Sequence, residues 1–132
     1  MKLIVALALA GFTAGCMAEA PAPVSTRADA RLDAALEGRT AGQPVDCVSQ
    51  RDLRGNRTTP DGAIIFEAAG DVVYLNRPAG GCPGLGPGRT LVTRTISSRL
   101  CRGDIVTVTD PVAHIEYGGC GLGAFTPYRR VR

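Results

Sequence analysis

Four cysteines, Cys47, Cys82, Cys101 and Cys120, are spread through the last 88 residues of this 132-residue chain. A domain of that size has a modest core and often needs covalent support. In an exported chain an even number of cysteines reads as disulfides, and two bridges in so short a span leave few folds open. The competing use of four thiols is a metal cluster. No Cys-x-x-Cys pair exists, however, the spacings are wide, and His114 is the only histidine. Zinc sites draw on closely spaced ligand pairs, so the thiols are assigned to disulfides, and no metal or other cofactor is expected.

That assignment depends on export, for which the N-terminus carries a signal. Lys2 is a positive n-region, Leu3 to Phe12 is an apolar h-region of ten residues, and Thr13-Ala14-Gly15 are small residues suited to a peptidase. A membrane-crossing helix needs about 20 apolar residues, which this run does not reach. Cys16 follows directly, and the segment Phe12-Thr13-Ala14-Gly15-Cys16 resembles the lipobox of bacterial lipoproteins. Thr13 is its one departure, since lipoboxes more often carry Leu there. The resemblance implies cleavage before Cys16, acyl chains on that residue, and membrane attachment through them. Met17 in place of Asp after the cysteine points, by the enterobacterial sorting rule, to the periplasmic face of the outer membrane. Cys16 is then the unpaired fifth cysteine, and residues 1–15 are a signal peptide.

Residues 16–45 read as a tether. They are rich in Ala and Pro and hold no aromatic residue, a composition that spaces a domain from its anchor. Within them, Ser25 or Thr26 as a cap, Asp29 in a first turn, the stripe Leu32, Ala35 and Leu36, and Gly38 as a stop outline a short helix. Asp29, Asp33 and Glu37 stack like charges at i, i+4, and the length is marginal for an isolated helix. The helix is expected to form only in part unless it docks on the domain.

From Cys47 onward the period changes to two. Ile64 and Phe66 alternate with Ala63, Ile65 and Glu67; Asp71 to Asn76 follows at hairpin-like spacing; Thr90 to Ile96 and Ile105 to Thr109 are rich in β-branched residues. Weaker strands are expected at Val48 to Leu53 and Leu122 to Thr126. Glycine and proline crowd the intervals, above all Pro78 to Gly88. The reading for 46–132 is an all-β domain, a small disulfide-stapled antiparallel barrel or sandwich of about six strands. If those strands form a simple up-and-down meander, the loops holding Cys82 and Cys120 fall at one end, and Cys47 and Cys101 at the other. Bridged Cα atoms must lie within about 7 Å, so the meander favours Cys47–Cys101 and Cys82–Cys120, and a Greek-key crossover would favour another pairing.

Cys82-Pro83-Gly84-Leu85, Tyr74-Leu75-Asn76-Arg77, Leu100-Cys101 with Asp104-Ile105, and Cys120-Gly121-Leu122-Gly123 together resemble a family of small proteobacterial lipoproteins known as a domain of unknown function. The resemblance spans roughly residues 46–130. It implies exported placement and brings no activity, so no catalytic residue is carried over.

Chemistry-bearing patterns are sparse. The Pro78–Gly88 loop leads into a strand, without the Gly-Lys-Ser/Thr and helix of a phosphate cradle, and reads as a disulfide-pinned turn. Gly118-Gly119-Cys120-Gly121 reads as tight backbone packing around a bridge. His114 has Asp110 and Glu116 nearby and Ser97 and Ser98 elsewhere, but no Gly-x-Ser-x-Gly elbow; it reads as a surface or capping residue. Asn56-Arg57-Thr58 reads as a loop, Asp104 beside Arg102 as a strand-edge ion pair, and Tyr128-Arg129-Arg130 as a solvated tail. Net charge is +3, acids and arginines are interspersed, and nothing supports nucleic-acid binding. The leading expectation is a non-catalytic envelope structural or interaction module. It would be held to the membrane through Cys16 and would engage an envelope protein or glycan. One alternative is a periplasmic inhibitor of an envelope hydrolase such as lysozyme, working through the 77–88 loop. The other is a small hydrolase using His114.

Overall fold

A computed structural model describes residues 24–86 and 88–131. The signal segment, Cys16 and the side chains of Ser25, Thr26 and Asp29 therefore lie outside the described residues. Among the described residues the fold is all-β with one α-helix: three antiparallel sheets, ten strands and two disulfides make a small sandwich. The largest sheet joins β1 (Arg39–Ala41), β10 (Phe125–Arg130), β5 (Val72–Asn76), β4 (Ile64–Ala68) and β3 (Leu53–Thr58), in that spatial order. A second pairs β2 (Cys47–Ser49) with β7 (Arg99–Cys101). A third sets β8 (Ile105–Asp110) between β6 (Thr90–Thr93) and β9 (Ile115–Gly121).

The run Ala63-Ile64-Ile65-Phe66 explains the layering. All four residues are buried, where a strand with one wet face would alternate. Ile64 and Phe66 enter the sandwich core with Val48, Leu91, Leu100, Val106, Val108, Leu122 and Phe125. Ala63 and Ile65 point the other way, to Val73, Leu75 and Leu32. The five-stranded sheet is thus covered on both faces, by the smaller sheets on one and by helix α1 (Val24–Leu36) on the other.

That covering helix lies within the segment read as a tether. Leu32 is buried, with Ala35 and Leu36 packed beside it, and fully burying a leucine side chain stabilises by roughly 1.5–3 kcal/mol. Docking supplies what a marginal isolated helix lacks, while Asp33 and Glu37 keep their like charges in water. Gly38, at φ +68°, ends the helix, and β1 follows at once, pairing with β10 from Arg39↔Arg130 to Ala41↔Tyr128. The folded unit therefore begins well before residue 46. The terminus read as solvated is a strand: Tyr128, Arg129 and Arg130 are paired on both sides or at the β1 edge. Pro127 is tolerated inside it because β1 stops at Ala41. On that side only the Pro127 carbonyl is needed, to accept from the Gly42 N–H at 2.7 Å.

Ten strands replace the expected six, and the meander fails because β10 inserts between β1 and β5. Asn56-Arg57-Thr58 lies in β3, paired to β4, and is not a loop. Gly118-Gly119-Cys120-Gly121 packs tightly around the Cys120 bridge, where a β-carbon on Gly119 would stand only 3.2 Å from Ile105 and Val106 atoms, and belongs to β9. Its ladder with β8 carries a bulge, since Val108 faces Gly118 while Thr109 faces Glu116. Gly118 adopts φ +114°, a conformation that side chains rarely allow, and Tyr117 is the extra residue. The disulfides join Cys47 to Cys101 and Cys82 to Cys120. These are the pairs the meander favoured, but other contacts bring them together. Cys47 and Cys101 face each other in the β2–β7 ladder, and Cys82 and Cys120 are both buried in the sandwich core.

Candidate functional site

A cleft of about 880 Å³ opens where the C-terminal half of α1, β1, β3 and the 86–89 loop meet. Among the described residues its lining holds Arg31, Arg39, Arg57, Arg89 and Arg130 against one carboxylate, Glu37. Asn56, Thr58 and Thr59 add neutral hydrogen-bonding groups, and Ala34, Ala35 and Ile65 supply apolar surface.

Local folding fixes several of these arginines. Between β4 and β5 the chain turns through Gly70 and Asp71, both at positive φ, a conformation that Asp tolerates better than most residues. The turn presents Asp71 to two strands at once. Arg39 donates to its Oδ1 at 2.8 Å and to its backbone carbonyl, and Arg130 Nε meets Oδ2 at 2.9 Å. Hydrogen bonding from Arg39, then the charges of Arg39 and Arg130, hold the Asp71 carboxyl below its ordinary value. The Arg39 side chain is only 8% exposed, so its guanidinium is set in one orientation. Arg57 pairs with Glu67 on the neighbouring strand, both partners well exposed. Arg89 is held by different means: its Cζ sits 3.6 Å from the Tyr117 ring centroid, and Nη1 donates to the Gly84 carbonyl. The β9 bulge delivers that ring. Gly84 is needed beneath it, since a β-carbon there would stand 2.5 Å from Tyr117 Cβ. Arg31 is exposed and has no ion-pair partner among the described residues.

The arrangement can bind negative charge. Guanidinium groups present several N–H donors in a planar fork that matches carboxylate and phosphate oxygens, and a concave wall strengthens their field.

The residues singled out from sequence lie elsewhere. His114 is exposed in the β8–β9 turn at φ +56°. Asp110 does not orient it: Oδ1 accepts from the N–H groups of Val112 and Ala113 at 2.8 and 2.9 Å. Those bonds, Ala113's first, lower the Asp110 pKa. The Ser97 hydroxyl donates to the Arg99 carbonyl at 2.9 Å, and Glu116 lies 3.8 Å from Arg94. The His114 backbone N–H donates to the Asp110 carbonyl at 2.9 Å, and among the described residues no hydrogen bond joins its imidazole to a serine or an acid. Asp104 does not pair with Arg102 as expected. It accepts from the Cys101 N–H at 2.7 Å, while Arg102 approaches Asp46 at 3.7 Å. Among the described residues no cluster of three or more His, Cys, Asp or Glu side chains is placed to hold a metal ion. The 77–88 loop is fastened by Cys82–Cys120, and its end contributes Gly86 and Gly88 to the arginine cleft.

Sequence reasoning missed this site. Its five arginines stand at positions 31, 39, 57, 89 and 130 with no motif among them. The only available signal was that every Lys or Arg after Lys2 is an arginine, which by itself points nowhere. Comparison of the chain with protein-family models, curated proteins and solved structures returned no match.

Proposed function

We propose that this protein is a lipid-anchored, non-catalytic module of the bacterial cell envelope that binds an anionic partner through the arginine-lined cleft. The convergence of five guanidiniums on one concavity, with one acid among the described residues of its lining, carries the binding half of this reading. The lipobox-like segment ending at Cys16, and the resemblance to small proteobacterial lipoproteins, support the anchored half. Seven residues separate Cys16 from the start of α1. At about 3.3–3.6 Å per extended residue they reach at most about 25 Å, so an acylated Cys16 keeps the cleft close to the bilayer. Met17 in place of Asp after Cys16 favours the outer membrane's periplasmic face, with an envelope glycan or protein as partner.

Two measurements test it. In cell fractionation the wild-type chain should stay with membranes and Cys16→Ser should become soluble with both disulfides intact; a variant still bound to lipid overturns the anchor. In titration calorimetry, acidic oligosaccharides should bind with an affinity that falls as salt rises, and Arg31→Gln/Arg57→Gln should weaken that binding. Heats unchanged by salt or by the substitutions overturn the binding half. A second reading, inhibition of an envelope hydrolase, gains support from the stapled 77–88 loop sharing the cleft wall. Lysozyme activity unaffected by micromolar protein removes it.

A further inference from the structure

The geometry points to a phosphomonoester as the group the cleft is built to hold, with Arg39 and Arg89 as its preset donors. This inference rests on the anion-binding reading and names its chemistry. Of the five arginines, these two have a hydrogen bond or ion pair together with burial or ring stacking to orient them. Arg39 spends two of its five N–H groups on Asp71 and keeps three. Arg89, lying on Tyr117, spends one on Gly84 and keeps four. A guanidinium held in place before binding loses little conformational freedom when a ligand arrives.

Charge selects the ligand class. Glu37 offsets one of the five guanidiniums within the lining, and Asp71 and Glu67, the partners of Arg39, Arg130 and Arg57, offset two more. Among the described residues two positive charges remain. A phosphomonoester carries about −1.5 to −2 charges near neutral pH and three strong acceptor oxygens; a single carboxylate carries one charge and two oxygens. The cleft is larger than an inorganic phosphate requires and lies within the roughly 300–1,000 Å³ typical of small-molecule sites. Ala34, Ala35 and Ile65 offer apolar contact for the rest of such a ligand, with Asn56 and Thr58 for its hydroxyls. A free phosphate ester and a lipid headgroup ending in a phosphomonoester share this chemistry.

The test uses the full chain, isotope-labelled and purified in an uncharged maltoside detergent, with the amide resonances of Gly38, Gly86 and Gly88 as reporters of the cleft. It is titrated at constant ionic strength with glycerol 3-phosphate, with glucuronate, and with short-chain phosphatidic acid doped into the micelle. Glycerol 3-phosphate should shift the three glycines saturably and bind at least about tenfold tighter than glucuronate, as expected for one or two added charge-assisted hydrogen bonds. Its affinity should drop between about pH 7.5 and 5.5, as the second phosphate proton (pKa about 6) returns. Arg39→Gln or Arg89→Gln should each weaken it about tenfold or more, the loss expected for a hydrogen bond to a charged group. Exposed Arg31→Gln, which leaves the fold untouched, should weaken it by a smaller factor. A response to phosphatidic acid and not to the soluble ester identifies the lipid headgroup; a response to both identifies the free ester as sufficient. Glucuronate binding as tightly as the phosphate, or no pH dependence, overturns the phosphomonoester while leaving the anion-binding module standing. No shift with any probe overturns both.

Discussion

The two faces of the five-stranded sheet are buried by opposite means. On the sandwich face, two smaller sheets close over a core centred on Phe125, whose ring lies 5.6 Å from Phe66 and 6.4 Å from Tyr74, and both disulfides belong to this side. On the other face a single 13-residue helix rests on four side chains and continues directly into an edge strand. The first face is stapled and apolar. The second is lightly held, and the arginine cleft opens at its margin. A rigid sandwich thus carries a site whose wall is the element most easily released, and that wall also leads toward Cys16.

The comparison predicts a graded set of losses. Phe125→Ala should cost the most, about 3–5 kcal/mol for an aromatic removed from a fully packed core, measured as a shift in the urea midpoint. If the helix face governed global stability instead, this loss would be no larger than that of Leu32→Ala. Asn76→Ala comes next. Asn76 has no exposed surface, and its side chain both donates to the Gly123 carbonyl at 2.7 Å and accepts the Gly123 N–H at 2.9 Å. Losing it strands buried backbone groups, at about 1–3 kcal/mol each, so a total of about 2–4 kcal/mol is expected in the same assay. Leu32→Ala should cost about 2 kcal/mol, at the low end for leucine truncation because the helix can shift over the gap. Its effect should be local: hydrogen exchange should quicken in 30–41 while amides of Val106 and Val108 keep their protection. Uniform acceleration across the chain would erase the distinction between the faces.

The smallest effect is the helix face's share of a pH dependence, carried by Asp71. The folded-state pKa of Asp71 is depressed below the ordinary 3.8 by Arg39 first and Arg130 second. A depressed carboxylate contributes stability that is fully present above its unfolded pKa and is lost as pH falls through the folded value. Stability should therefore be level above about pH 5 and decline below about pH 4. Asp71→Asn should remove part of that decline and loosen the β1–β10 edge in hydrogen exchange. An identical acid profile in the variant would mean that the Arg39–Asp71–Arg130 cluster contributes nothing measurable.

Much of the fold was legible because its signals are local. The strand cores at 64–67, 72–76, 90–93 and 105–109 carry alternation or β-branched runs, and each is a strand in the structure. The strands that went unread lack those signals. β9 is nearly half glycine, because its bulge needs Gly118 and its Gly119 backbone runs close to Ile105 and Val106. β3 reads Leu-Arg-Gly-Asn-Arg-Thr, without an apolar residue after Leu53, since it is an edge strand with mostly exposed side chains. Thr90 to Ile96 was read too long: pairing with β8 ends at Thr93, and Ile96 projects fully into solvent.

The sequence by itself was enough for an all-β domain with an even set of cysteines after Cys16, because period and residue type act between neighbours in the chain. It also carried the stripe Leu32, Ala35, Leu36 and the glycine that ends the helix. Only the tertiary structure decided what the stripe covers, and which basic residues act together. Arg39 meets Asp71 because β1 and β5 flank the same late strand, β10, and Arg89 reaches the cleft because a disulfide and a bulged tyrosine hold its loop against β9. Contacts made across 30 to 100 residues leave no local trace. The four cysteines remain the strongest constraint on the fold, and the cleft is a product of the pairings they help to hold.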